Sequence, residues 1–305
     1  MKSANILVSG TSNPDLAASV ATHLGLPLGD VEITRFIDNE CRVYVKEDVA
    51  DKNVFVIQSL STIADQHLVE LCLVGHALKN LHARSITAVI PWLGYSKQDK
   101  EFRKGEAVSS QLVAKFIEAA GFDRVIACEL HSESLLPYFH IPLTELSTHE
   151  VLSEALKAKG KWENAVVVSP DKGGKSRSER FASAVGLPIV YLDKTRDIET
   201  GDVTVTGIRG EVSGKRVIIF DDIINTGATA VKTSEFLKRR GAGEIYFLAT
   251  HAVLAGDSVQ KLIGSPITEI IVTDTVTVPD TKRFEKLSVT SVSMLLADAV
   301  TAQMQ

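Results

Sequence analysis

Short apolar runs bounded by Gly, Pro, Asn or Asp recur along the whole chain, at residues 6–8, 54–57, 86–90, 125–127, 165–168, 189–192, 217–220, 245–249 and 270–272. Val and Ile dominate them. Several show no polar alternation, the pattern of strands covered on both faces in a parallel sheet. Between them lie stretches with helical spacing at 16–24, 66–81, 108–120, 151–159, 175–185 and 229–240. Strand and helix alternate, which predicts the α/β class, with mainly parallel sheets flanked by helices.

The two halves echo each other. In each, an apolar run leads through a polar loop and a helix to a Gly, a strand and a His. Gly121 stands ten positions before His131, and Gly241 ten before His251. Every βαβ unit tends to put a Gly after its helix, so the echo alone leaves duplication and coincidence both open. Duplication predicts two similar domains, 1–146 and 147–288, joined near residues 146–151. The terminal pattern, 289–305, has no evident owner; the N-terminal domain is its candidate.

Composition narrows the class. The 305 residues are 45% hydrophobic and 23% charged, with a formal net charge of -5, a globular profile with room for two domains. An acidic balance argues against a nucleic-acid partner, although local Lys, Arg and backbone N–H groups can still bind phosphates. Cys41, Cys72 and Cys128 form no CxxC pair, so packed thiols in a reducing compartment are expected rather than a disulfide or zinc framework. No run reaches the ~18 apolar residues of a membrane span. The first ten residues lack a signal peptide's apolar region, and a cytoplasmic protein is expected.

The most informative segment is RVIIFDDIINTGATAVKTSEFL, residues 216–237. An apolar strand is expected to end at Phe220, followed by Asp221 and Asp222, then Asn225, Thr226, Gly227, Ala228 and Thr229, then a helix. Open α/β sheets bind ligands at the carboxyl ends of their strands. Backbone N–H groups and hydroxyls at a helix N-terminus suit a phosphate. Two adjacent carboxylates can accept hydrogen bonds from a vicinal diol, or can merely end the strand and cap the helix.

The complete string resembles the phosphoribosyl-pyrophosphate loop shared by phosphoribosyltransferases and ribose-phosphate pyrophosphokinases. Asn225 departs from the acidic residue common there. Resemblance to the pyrophosphokinases runs over nearly the whole chain. TRFIDNE, residues 34–40, resembles their ATP-site segment. This implies that Phe36 stacks on the base while Asp38, Asn39 and Glu40 read its edge. Asn39 stands where Gly is frequent. PWLGYSKQD, residues 91–99, resembles a second ATP loop and implies contacts from Lys97, Gln98 and Asp99. Lys97 replaces the usual Arg, which keeps the charge but loses the bidentate fork.

ELHSES, residues 129–134, places His131 like the family histidine beside metal and ATP phosphates. PDKGG, residues 170–174, places Asp171 like a magnesium-site residue, and YLDKTRD, residues 191–197, makes Lys194 and Arg196 the catalytic cations. Arg196 is also assigned to ribose 5-phosphate. These two are expected to be delivered by a strand into a mobile polar segment.

The resemblance implies Mg2+ as cofactor, ATP and ribose 5-phosphate as substrates, and a homodimer or a hexamer of dimers in which the 34–40 segment completes a neighbour's ATP site. A phosphoribosyltransferase and a non-catalytic regulatory homologue are the rival readings.

Overall fold

The computed structural model describes residues 5–160, 162–170, 173–196 and 203–304. Two compact units divide the chain: Met1–Ser147 with Thr275–Thr277 and Val292–Gln305, and Thr148–Asp274 with Val278–Ser291.

The first unit is built on five parallel strands: β1 (Asn5–Ser9), β4 (Asn53–Ile57), β5 (Ser85–Ile90), β6 (Arg124–Cys128) and β7 (Leu143–Leu146), in the spatial order β1-β4-β5-β6-β7. Residues Val8, Val56, Ala88 and Ala127 on one face pack with α2 (Ala64–Asn80) and α3 (Ser109–Ala119). Their alternates Leu7, Phe55, Val89 and Ile126 are buried on the opposite face. Both faces are thus dry, which is why the strand sequences do not alternate. Asn13 caps α1 (Pro14–Leu24), with Pro14 in its first turn, where the missing N–H costs nothing. The antiparallel pair β2 (Val31–Arg35) and β3 (Cys41–Val45) forms a separate ribbon. Its strands are half exposed, and no fully apolar run announced them.

The terminal pattern resolves into two pieces. Strand β14 (Leu287–Thr290) pairs with β13 (Glu269–Thr273) of the second unit. Helix α8 (Ser293–Ala302) packs on α1 of the first, burying Leu296, Ala297 and Val300.

The second unit carries a seven-stranded sheet ordered β10-β9-β8-β11-β12-β13-β14. Strands β8 (Ala165–Ser169), β9 (Ile189–Arg196), β11 (Arg216–Ile224), β12 (Ile245–Ala252), β13 and β14 are parallel, and only β10 (Val203–Arg209) runs antiparallel, on β9. Val167, Ile218, Phe220 and Leu248 meet α4 (His149–Lys157) and α5 (Lys175–Val185) on one face. Val166, Ile219 and Phe247 meet α6 (Ala228–Arg239) and α7 (Ser258–Ile263) on the other. Phe181 stacks on Phe220 at 4.3 Å between ring centroids, and His149 meets Phe220 edge-on at 5.0 Å.

Candidate functional site

Strand β11 is longer than its apolar run. Asp221 and Asp222 do not follow it; they lie inside it, because the long β12 continues to pair beyond them, with Asp221 opposite Ala249 and Ile224 opposite Ala252. Asp221 is 8% exposed and Asp222 2%. Two adjacent buried carboxylates repel each other and lose hydration, so they require compensation. Arg177, on the first turn of α5, supplies it: its Nη1 lies 3.1 Å from Asp222 Oδ1 and 3.9 Å from Asp221 Oδ1. The Asp222 N–H donates to Asp221 Oδ1 at 3.0 Å, and Ser178 Oγ ties α5 to the Phe220 carbonyl at 3.3 Å. Sequence reasoning missed Arg177. Its signal was present: Arg177 and Phe181 are four apart and share the buried face of α5.

Beyond Ile224 the chain turns through Asn225 and Thr226 into α6. Gly227 adopts φ 75° at the helix entry, a region open mainly to glycine. A Cβ there would also sit 3.3 Å from Leu262 Cγ. Among the described residues no side chain caps α6. Its first N–H groups, at Ala228 and Thr229, together with exposed Thr226, therefore face the carboxyl edge of the sheet as anion donors. Asn225 anchors the turn through its carbonyl, which accepts from Ala255 N–H at 2.9 Å.

Lys194 and Arg196 belong to β9, backbone-paired with Val205 and Val203 of β10. The expected strand thus runs as far as Arg196, held by antiparallel β10, and residues 197–202 of the expected polar segment lie outside the described residues. β9 and β11 flank β8 and run the same way, so their carboxyl ends share one edge, about 10 Å apart by strand spacing. Asp171 lies outside the described residues.

In the first unit, loops leaving β5 and β6 meet. Gln98 turns back to the start of α3: its carbonyl accepts from Ser110 N–H at 3.3 Å and Ser110 Oγ at 3.1 Å, and its Oε1 accepts from Ser109 Oγ at 2.5 Å. This supplies the cap that Val108 lacks. Asp99 Oδ2 accepts from Ser134 Oγ at 2.6 Å, and Tyr138 Oη donates to the Asp99 carbonyl at 2.7 Å. Partial burial raises the Asp99 pKa, but hydrogen bonds from Ser134 and Ser132 outweigh it, and the group titrates below the ordinary carboxylate range. Both serines follow half-buried His131 in the chain, so Asp99 is tied to the segment that carries it. Lys97 is exposed on the same loop.

The third predicted segment stands apart, at the tip of the β2–β3 ribbon. Asn39 takes φ 75°, the left-handed conformation that Asn tolerates better than most residues and that explains a frequent Gly there. The Phe36 N–H donates to the Glu40 carbonyl and the Asn39 N–H to the Phe36 carbonyl, both at 2.9 Å, and Asp38 Oδ1 accepts from Glu40 N–H at 3.2 Å. The closed turn displays Phe36, 54% exposed, and a fully exposed Ile37.

Two α/β units with mainly parallel sheets, the second carrying a buried carboxylate pair ahead of a helix N-terminus at its strand ends, define an α/β protein with a phosphate-binding edge. The profile for the N-terminal domain of ribose phosphate pyrophosphokinase matches residues 5–121, and that of the phosphoribosyl synthetase-associated domain matches 199–304. A ribose-phosphate pyrophosphokinase of Caldanaerobacter subterraneus is 40% identical over 96% of this chain and 93% of its own length. That of Bacillus caldolyticus is 37% identical over 95% and 91%. The crystal structure of phosphoribosylpyrophosphate synthetase from Mycobacterium smegmatis superposes with a TM-score of 0.92 at 33% identity, covering 98% of both chains. The chain belongs to the ribose-phosphate pyrophosphokinase family.

Among the described residues no helix is long and apolar enough to cross a membrane, and Cys41, Cys72 and Cys128 are free thiols.

Proposed function

We propose that this chain transfers the pyrophosphoryl group of ATP to ribose 5-phosphate, giving phosphoribosyl pyrophosphate and AMP for nucleotide biosynthesis. The observation that carries the reading is the β11–α6 junction, where a buried acidic pair is followed by a helix N-terminus that no side chain caps among the described residues. It offers acceptors for sugar hydroxyls and donors for a phosphate within nine residues, 221–229.

In this reading Asn225, Thr226, Gly227, Ala228 and Thr229 hold the 5-phosphate, and Asp221 and Asp222 accept from the ribose hydroxyls. Arg177 holds that pair in place. The C1 oxygen forms a bond to the β-phosphorus and loses its proton to water. The bond between β-phosphorus and the α-bridging oxygen breaks, and AMP leaves with that oxygen. Such transfers depend on positioning and charge neutralisation. Lys194 and Arg196, on the same sheet edge as Asp221, are assigned to the negative charge that builds on the transferring group. In the first unit Phe36 stacks on the base, Asp38, Asn39 and Glu40 read its edge, and Lys97, Gln98, Asp99 and His131 hold the ribose and phosphates.

A magnesium ion fits this chemistry in a particular way. Among the described residues no group of three His, Cys, Asp or Glu could hold a metal, whereas Mg2+ arriving on ATP oxygens with its own waters needs only one or two protein contacts. His131 and Asp171 are assigned to those contacts. The ion would neutralise polyphosphate charge. The exposed Phe36 tip supports a homodimer, or a hexamer of dimers, in which it serves a neighbouring subunit. Free thiols support a cytoplasmic enzyme.

Lys194→Ala tests the assignment: turnover falls by orders of magnitude while the circular dichroism spectrum is unchanged. Near-normal turnover rejects it.

A further inference from the structure

The first unit buries a carboxylate that the site above does not use. Glu70, on α2, is 1% exposed. Its Oε1 accepts from the Thr11 N–H and from Gln58 Nε2, both at 2.7 Å, and its Oε2 accepts from Thr11 Oγ1 at 2.7 Å. These three donors are neutral. A carboxylate in such a place costs several kcal/mol of hydration unless its hydrogen bonds are made, and here they organise two strand-end loops.

The contacts continue outward. Gln58 Oε1 accepts from Ser12 N–H at 3.0 Å, Ser12 Oγ from Ser59 N–H at 2.7 Å, and Ser59 Oγ from Trp92 N–H at 3.3 Å. Ser59 Oγ also donates to the Thr275 carbonyl at 2.5 Å, and Thr277 Oγ1 to the Ser12 carbonyl at 2.8 Å. The Trp92 carbonyl accepts from Leu60 N–H at 2.9 Å. Two residues on, a Cβ at Gly94 would lie 2.3 Å from the Leu60 carbonyl oxygen, so the loop lies directly on residues 59–60. The segment that Glu70 fixes is therefore the platform for the start of the 91–99 loop.

We infer that Glu70 is a positioning residue for nucleotide binding, acting through Gln58, Ser12 and Ser59 on the loop that carries Lys97, Gln98 and Asp99. This rests on the proposed assignment of that loop to ATP. The contacts named above all lie within the first unit, so the effect is expected on one substrate.

Three variants test it. Glu70→Met keeps the volume but strands the Thr11 and Gln58 donors. It raises the KM for ATP about tenfold or more, the equivalent of about 1.4 kcal/mol, while the KM for ribose 5-phosphate stays within about twofold. Glu70→Gln restores most of the ATP affinity, because its amide can donate to Thr11 Oγ1 while its oxygen keeps the other two bonds. Ser59→Ala, which removes only the hydroxyl nearest the loop, gives a smaller shift of the same kind and decides the matter if Glu70→Met does not fold. Trp92 emission, measured against a Trp162→Phe background, moves in Glu70→Met and Ser59→Ala and returns in Glu70→Gln.

The inference is overturned if both KM values move together, if Glu70→Gln behaves like Glu70→Met, or if Ser59→Ala changes neither KM nor emission. A wild-type protein that forms no AMP rejects the functional reading instead, and the emission series still shows whether Glu70 sets the loop.

Discussion

Replacing Arg177 with Met removes a buried guanidinium but keeps an apolar stem of similar length. Asp222, 2% exposed, then loses a charge partner now 3.1 Å away. Breaking a buried pair by deleting one member costs about 3–5 kcal/mol. A second line of reasoning bounds the same quantity. A buried carboxyl that has lost a cationic neighbour can respond by taking up a proton, which for an ordinary Asp costs about 4 kcal/mol at pH 7 and about 1.5 kcal/mol at pH 5. The two figures agree near neutrality, and the second makes the loss depend on pH. In the variant the folded state binds more protons than the unfolded one above the unfolded pKa, so the penalty grows with pH and is relieved as pH falls. Urea denaturation of wild type and variant at pH 7 and pH 5 measures both. A loss near 4 kcal/mol that shrinks by more than half on acidification supports the account. A loss below about 1 kcal/mol, or one unchanged between the two pH values, refutes the view that Arg177 compensates the acidic pair.

Other expectations follow from individual contacts. Gly227→Ala meets both an unfavourable φ and Leu262, so it costs about 1–2 kcal/mol and weakens ribose 5-phosphate binding; unchanged binding by calorimetry contradicts the phosphate-loop assignment. Phe36→Ala changes stability by less than about 0.5 kcal/mol because the ring is exposed, yet it raises the KM for ATP; an unaltered KM removes the stacking role. Asp99 has a depressed folded-state pKa, so its contribution to stability is present above the unfolded value and lost as pH falls through the folded one. Ser134→Ala moves its NMR titration midpoint upward, and an unmoved midpoint shows that the Ser134 hydrogen bond does not matter.

The buried core of both sheets was legible because fully covered parallel strands are written as unbroken Val and Ile runs. Strands β2, β3, β7, β10 and β14 were not, since each is short, half exposed or at an edge, where polar residues are tolerated. The segment 216–237 disclosed its chemistry but not its geometry. Two adjacent Asp residues read as a strand end, whereas the pairing of β12 and the guanidinium of Arg177 carry the strand through them. Glu70 was invisible for a related reason. A single Glu in an amphipathic helix reads as a solvated residue, and nothing local reveals that Thr11 and Gln58, far away in the chain, converge on it. Asn39 worked the other way: its departure from Gly became intelligible once its positive φ was known.

A pyrophosphoryl group, and not a single phosphoryl group, is expected to pass from ATP to the C1 hydroxyl of ribose 5-phosphate. ³¹P NMR of the purified protein with ATP, Mg2+ and ribose 5-phosphate follows this directly. AMP is expected in equal amount to a new sugar carrying coupled diphosphate resonances. Accumulation of ADP, or no reaction here combined with base-dependent release of pyrophosphate from phosphoribosyl pyrophosphate, would contradict it.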